Sequence, residues 1–279
     1  MIIYANGKYT SQKKLTFDIS DRGLLLGDGV FDTMLYQNNE LTYYNDHYKR
    51  LKTAAKLLSF NFNLTNEQLK NIITNLIKKN NFQNKQIAIR TNITRGVSKR
   101  GLDFDKSHKV GIYIKLNLIP KSLFMKSIKL GIANIRRNST SPISQNKTLN
   151  YLDNVIEKNR AAKNGYEDAI FLNINEKVSC TTTSNIFYVQ KNKIYTPPLK
   201  DGVLNGVMRE QFLKKKIATT QTTSLNNLLK SDYIFLTNSV FGIRPVKTIS
   251  GSKKTFEGSK KFYTKLIDIL GNKKIIWVS

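Results

Sequence analysis

A few side chains in this 279-residue sequence are of a type, and in a place, that could do chemistry. Lys147 stands in Lys147-Thr148-Leu149-Asn150-Tyr151-Leu152, just where a strand-like pattern gives way to a helical one. A lysine that can shed its proton there becomes a nucleophile toward a carbonyl carbon, and afterwards a proton carrier. Arg50, in His47-Tyr48-Lys49-Arg50-Leu51, brings a planar guanidinium of the shape that grips phosphate or carboxylate through paired hydrogen bonds. Arg100, in Thr94-Arg95-Gly96-Val97-Ser98-Lys99-Arg100-Gly101, and the neighbours Arg136 and Arg137 are further candidates for holding anions. A helix starting after Gly206 would offer the amides of Val207 and Met208 to an anion whatever their side chains, and Ser239 could add a hydroxyl. The one cysteine, Cys180, and the two histidines, His47 and His108, argue against a disulfide framework, a Cys-based zinc site and a His-rich metal site.

The elements that must position these groups read as two α/β halves. Asn6-Gly7 between short apolar segments meets the backbone requirement of a tight hairpin turn. Leu51, Ala54, Ala55 and Leu58 fall at helical spacing and predict a helix from near His47 to near Phe60. Thr65 with Gln68 forms a capping-box pattern ahead of Leu69, Ile72, Ile73, Leu76 and Ile77, one face of a second helix. Alternation at 86–93 and 110–116 predicts strands. The pattern weakens around Pro120, which places an N-terminal domain over 1–118, a link over 119–126 and a C-terminal domain over 127–279. That second half predicts strands at 128–135, 168–172, 184–189, 193–195 and 233–237. Its helices are predicted at about 149–164, after Gly206, and at 260–270. The glycines of Gly27-Asp28-Gly29 read as a turn, not as a nucleotide-binding fingerprint.

Composition narrows the function class less. The chain has 40% apolar and 23% charged residues, enough to bury a sizeable core, and no apolar run of the roughly 18 residues a spanning helix needs. No basic-then-apolar leader opens it, so a cytoplasmic location is expected. Lys and Arg number 46 against 19 Asp and Glu, a net charge of +27. That balance suits a nucleic-acid binder, an enzyme for anions or a Lys-rich surface, but the basic residues are spread over both halves rather than clustered with aromatics, which disfavours nucleic acid.

Several separated segments, in order, resemble the class IV, or fold-type IV, pyridoxal-phosphate enzymes. They are Asp21-Arg22-Gly23-Leu24-Leu25-Leu26-Gly27-Asp28-Gly29-Val30-Phe31-Asp32-Thr33, His47-Tyr48-Lys49-Arg50-Leu51, Thr94-Arg95-Gly96 and Lys147-Thr148-Leu149-Asn150-Tyr151-Leu152-Asp153-Asn154. Thr183-Ser184-Asn185-Ile186-Phe187, Gly206-Val207-Met208-Arg209 and Thr237-Asn238-Ser239 complete the set. The resemblance implies an α/β (α+β) protein with a small N-terminal α+β domain and a larger barrel-like C-terminal α/β domain, usually a homodimer. It implies pyridoxal 5′-phosphate as cofactor, Lys147 as the Schiff-base lysine and proton shuttle, and Arg50, Val207, Met208 and Ser239 at the phosphate. By the resemblance Arg100 would face a substrate carboxylate and His47 would be structural; Phe31 and Arg137 are further candidates for contacting substrate.

One position departs from the family. The glutamate that pairs with the cofactor's pyridine nitrogen stands five residues before the asparagine of the Ser-Asn-x-Phe segment, and counting back from Asn185 gives Cys180. A carboxylate keeps that nitrogen protonated and the ring able to accept electrons, and a neutral thiol does so far less. Elimination leans on that sink less than transamination does, so Cys180 is expected to tilt the chemistry toward elimination or to lower activity generally. The Gly-Asp-Gly-Val-Phe-Asp-Thr wording, closed by Thr33, looks most like the aminodeoxychorismate lyases, with Asp32 where Glu is usual. The implied reaction turns 4-amino-4-deoxychorismate into 4-aminobenzoate and pyruvate, with Thr33 a candidate proton donor. A class IV aminotransferase for D-amino acids, branched-chain amino acids or small amines is the alternative.

Overall fold

The computed structural model describes residues 1–104, 108–120 and 126–270. The chain divides into two compact units, Met1–Pro120 with Lys147–Asn150, and Lys121–Asn146 with Tyr151–Ser279. Of the link expected at 119–126, residues 121–125 lie outside the described residues. Lys147–Asn150, expected within the C-terminal domain, packs in the first unit, because the Phe31 amide donates to the Lys147 carbonyl (2.8 Å) and the Leu149 amide to the Gly29 carbonyl (2.9 Å).

In the first unit, β1 (Ile2–Ala5) and β2 (Lys8–Ser11) form the expected hairpin. Asn6 and Gly7 both take positive φ (48° and 91°), the hand that matches a two-residue turn to strand twist. The short helix α1 (Arg22–Leu26) is capped by the Asp21 carboxylate, which accepts from the Gly23 amide, and is closed by Gly27 in the left-handed region. Gly29, read as part of a turn, instead opens β3 (Gly29–Gln37), a nine-residue strand followed by β4 (Glu40–Leu41). Helix α2 runs Tyr44–Leu57, starting earlier than its spacing predicted and stopping where Ser59 takes positive φ. Helix α3 (Asn66–Lys79) carries the predicted capping box in full: the Thr65 hydroxyl accepts from the Gln68 amide and the Gln68 side chain from the Thr65 amide. Strands β5 (Ile87–Thr94) and β6 (Gly111–Leu118) complete a sheet of order β2-β1-β6-β5-β3-β4. Met34, Leu51, Leu69, Ile73, Leu76, Ile89 and Leu116 form the centre of its core.

The second unit is built on an eight-stranded mixed sheet, curled as a half-barrel. Along the chain come β7 (Ile128–Ile132), α4 (Pro142–Gln145), α5 (Leu152–Lys163), β8 (Asp168–Leu172) and β9 (Val178–Thr181). Then follow β10 (Asn185–Gln190), β11 (Lys193–Thr196), α6 (Val207–Lys214), β12 (Thr219–Thr220) and α7 (Leu225–Leu228). The unit ends with β13 (Tyr233–Asn238), β14 (Gly242–Ile249) and α8 (Lys260–Ile269). The strand order is β12-β11-β10-β13-β14-β7-β8-β9.

Strands β9 and β14 had no sequence signal. In β14, Gly242, Arg244, Pro245 and Lys247 break any alternation; the strand survives by pairing antiparallel with β13 and taking a register shift between Val246 and Thr248 against β7. Among the described residues no helix is long and apolar enough to cross a membrane.

Candidate active site

Lys147 leaves its backbone in the first unit on a short segment strapped to β3, and its Nζ lies 4.3 Å from the centre of the Phe31 ring. The Arg90 guanidinium lies 3.7 Å from the same ring. Phe31 therefore carries two cations, each attracted to the ring's electron-rich face. Thr33, two residues along β3, shares Phe31's side of the sheet and pairs in register with Arg90. Arg90 had no motif to mark it, because only the pairing of β5 on β3 brings it to Phe31. The one trace in the sequence is a polar face, Arg90 and Asn92, on a strand whose other face is Ile87, Ile89, Thr91 and Ile93.

Arg50 projects from α2 onto Asp32 of β3. Its Nε and Nη2 reach Asp32 Oδ2 at 2.8 and 2.7 Å, while His47 Nδ1 meets Oδ1 at 2.6 Å. The helix spacing puts His47 and Arg50 on one face, so a single buried carboxylate fixes both. Burial alone would raise the Asp32 carboxyl, but the adjacent Arg50 and His47 overcome it and hold the group well below the carboxylate range. The sequence showed Asp32 only as a departure from a usual Glu; its task as the anchor of Arg50 is set by the tertiary contact.

A second carboxylate organises the neighbouring loop. Asp28 receives Arg95 through Nε (2.7 Å) and Nη2 (3.0 Å) and Arg22 through Nε (2.9 Å). Burial opposes its ionisation, but hydrogen bonds from Arg95 and Arg22 lower its carboxyl. Arg22 also donates to the carbonyls of Gly101, Leu102 and Asp103, so the loop carrying the exposed Arg100 is tied to α1. His108 is buried and lies edge-on to Phe104.

In the second unit the loop before α6 is drawn close to β10. Asn185 Nδ2 donates to the Leu204 carbonyl at 2.9 Å, and a Cβ on Gly206 would stand 2.0 Å from Asn185 Oδ1. Only glycine fits there, and the N-terminal amides of α6, at Val207 and Met208, follow directly. Arg209 is fully buried with no carboxylate in a salt bridge to it among the described residues, donating to Asn205 Oδ1 and the Pro197 carbonyl, and burial pushes it down to about 10. Near Ser239, which is half-buried, the Thr237 hydroxyl is buried with no partner among the described residues.

The adjacent arginines are occupied. Arg136 holds Glu176 at 2.5 and 3.0 Å, and Arg137 donates to the carbonyls of Gly202 (3.1 Å) and Ser144 (3.2 Å). Cys180 is buried on β9 in a cluster with Ala133, Ala161, Ala169 and Phe171.

Residues 29–249 match the class IV amino-transferase family. The chain belongs to that family. A relative from Methanocaldococcus jannaschii, provisionally named a branched-chain-amino-acid aminotransferase, is 30% identical over 96% of this chain and 96% of its own. An aminodeoxychorismate lyase of Bacillus subtilis is also 30% identical, over 89% of this chain and 86% of its own. Among solved structures, one provisionally named 4-amino-4-deoxychorismate lyase from Legionella pneumophila aligns with a TM-score of 0.82 at 27% identity, covering 93% of this chain and 96% of that one. As a class IV family member this enzyme takes pyridoxal 5′-phosphate as its cofactor.

Each unit, taken by itself, holds groups that suit part of that cofactor. In the first, an amine beside an aromatic ring and an arginine anchored by a buried acid are what an aldehyde and a phosphate ask for. In the second, the amides opening α6 and the Thr237 hydroxyl, without a partner among the described residues, are groups that suit an anion. Cys180, a thiol in apolar surroundings, is not an acid that could pair with a ring nitrogen.

Proposed function

We propose that this class IV enzyme is an aminodeoxychorismate lyase, converting 4-amino-4-deoxychorismate to 4-aminobenzoate and pyruvate in folate synthesis. The observation that carries the reading is Thr33. It shares a side of β3 with Phe31, whose ring centre lies 4.3 Å from the Lys147 amine, so an amine and a hydroxyl belong to the same side of the sheet. The similarity to the Bacillus subtilis and Legionella proteins supports it.

Bound pyridoxal phosphate supplies an electron-accepting ring to the amine-bearing carbon of the substrate. Lys147 would hold the cofactor through its Nζ and would serve as the base that takes the proton from that carbon. Thr33 would relay that proton from Lys147 to the departing enolpyruvate oxygen, so that the carbon–oxygen bond breaks as the substrate ring becomes aromatic and the hydroxyl ends as it began. Arg50, fixed on Asp32, would hold the phosphate, and on this reading the α6 amides and Ser239 would serve as further donors to it. Arg100 takes a substrate carboxylate, and Phe31 forms the apolar floor. A second copy of the chain completes the molecule as a homodimer.

A class IV aminotransferase remains the second reading, favoured by the Methanocaldococcus relative. Incubating the purified protein with pyridoxal phosphate and then with aminodeoxychorismate, or with amino donors plus pyruvate or 2-oxoglutarate, separates the two. Release of 4-aminobenzoate without conversion of the cofactor to its pyridoxamine form supports the lyase. Amino-group transfer with no 4-aminobenzoate overturns it. Lys147→Ala should abolish the absorbance band of the lysine-bound cofactor.

A further inference from the structure

The second unit buries three carboxylates among its described residues: Glu157, Asp168 and Asp201. Asp168 is fully engaged. Its oxygens accept from the hydroxyls of Thr181 (2.9 Å), Thr182 (2.5 Å) and Thr183 (3.0 Å) and from the amides of Ala169 and Thr182. It also lies on the other side of β8 from Ala169 and Phe171, the two residues that share a cluster with Cys180. Asp201 sits in the turn Leu199–Asp201, whose backbone Asn173 contacts.

Glu157 is placed differently. Helix α5 buries one stripe, Asn154, Glu157 and Ala161, at the three- and four-residue steps that line up on a helix face. Asn154 Nδ2 donates to the Thr182 carbonyl at 2.6 Å, two residues beyond Cys180, and Ala161 packs in the cluster that contains Cys180. Glu157 stands between these two contacts, on the face that α5 lays over β7 and β8, beside the cluster that contains Cys180. Its side chain is 1% exposed, and Oε1 accepts both from the Ile135 amide (3.0 Å) and from Arg160 Nη1. Ile135 itself packs on the Cys180 cluster. Burying an ionisable group at this depth costs several kcal/mol that Arg160 and the Ile135 amide offset, whereas an alanine-sized residue, like Ala161 one turn on, would fill a helix-to-sheet contact with no such cost to offset.

We propose that Glu157 is the acid of the cofactor site in this chain, supplying from α5 the carboxylate that Cys180 does not supply from β9. The pyridine nitrogen then keeps its proton and donates it in a charge-assisted hydrogen bond to Glu157. The proposal rests on pyridoxal phosphate being the cofactor. It changes what Cys180 means: with the acid delivered from the helix, the ring remains a full electron sink, and Cys180 is the small residue that leaves room for it rather than a device that selects elimination.

The test reads the ring nitrogen directly. Holoenzyme loaded with ¹⁵N-labelled pyridoxal phosphate should show a nitrogen resonance in the protonated range. Glu157→Gln should move it to the unprotonated range, and the exchange Glu157→Gln with Cys180→Glu should return it. A wild-type resonance in the unprotonated range overturns the proposal without any variant, as does an unchanged resonance in folded Glu157→Gln. Cys180→Ala keeps the question open to measurement if Glu157→Gln does not fold: its resonance should stay protonated, and a shift there would give the role to Cys180 and sink the idea. Absence of any Lys147-dependent absorbance band in the wild type defeats the cofactor reading itself, and this proposal with it.

Discussion

A single carboxylate decides whether Arg50 is a surface charge or a fixed anion ligand. Asp32 is 1% exposed and holds both Arg50 and His47, so its ionised form is worth far more in the folded chain than in the unfolded one. Because its folded carboxyl lies below the ordinary 3.8, its contribution to stability is whole above that value and drains away as pH falls beneath it. Asp32→Asn should cost about 3 kcal/mol at neutral pH, the scale for breaking a buried ion pair, and should flatten the loss of stability below about pH 4 in urea titrations. Retention of the cofactor should weaken by about tenfold. A variant with unchanged stability and unchanged acid sensitivity would show that Arg50 needs no anchor.

Short elements set the remaining donors by how tightly their backbones approach one another. The start of α6 depends on Gly206, since a methyl group there meets Asn185 Oδ1 at 2.0 Å, and Asn185 is already tied to the Leu204 carbonyl. Gly206→Ala should break that bond at a cost of about 1 kcal/mol and loosen cofactor binding measured by equilibrium dialysis. Adding Asn185→Ala should recover part of the binding by removing the clash, and simple additivity of the two losses would refute this account. Helix α5 shows the same logic from the other side: it exposes Leu152, Val155 and Ile156 and buries Asn154 and Glu157, the inverse of an ordinary amphipathic helix. Such an inversion is a sign that the buried stripe serves a polar partner.

At the scale of the whole chain the net charge of +27 exceeds what one phosphate and one substrate can use. It should still draw anions from a distance, so the association rate of pyridoxal phosphate should fall as ionic strength rises from about 0.01 to about 0.15 M. A rate indifferent to salt would confine the charge to a solubilising surface. The first unit also exposes Leu24, Leu25 and Leu26 of α1 together with Val97 and Leu102 of the loop that Arg22 tethers beside them. A patch of that kind on a monomer is a liability unless covered. Light scattering should therefore give about twice 31.9 kDa, and Leu25→Glu should shift the mass toward the monomer. A monodisperse monomer in the wild type would contradict the homodimer.

Much of this was determined along the chain itself. Local signals are complete within a few residues, which is why the Asn6-Gly7 hairpin, the Thr65–Gln68 capping box, the strand Asp168–Leu172 and the ordered family segments were all legible. The partners were not, because each is brought in from a distant part of the sequence. Asp32 meets Arg50 only when β3 lies under α2, and Arg90 reaches Phe31 only through the pairing of β5. The absence of an acid at Cys180 could be read from counting residues alone. That a carboxylate is buried beside the cluster of Cys180, at Glu157, is a matter of which stripe of α5 packs on β7 and β8, and only three-dimensional packing fixes which side of a helix is inside.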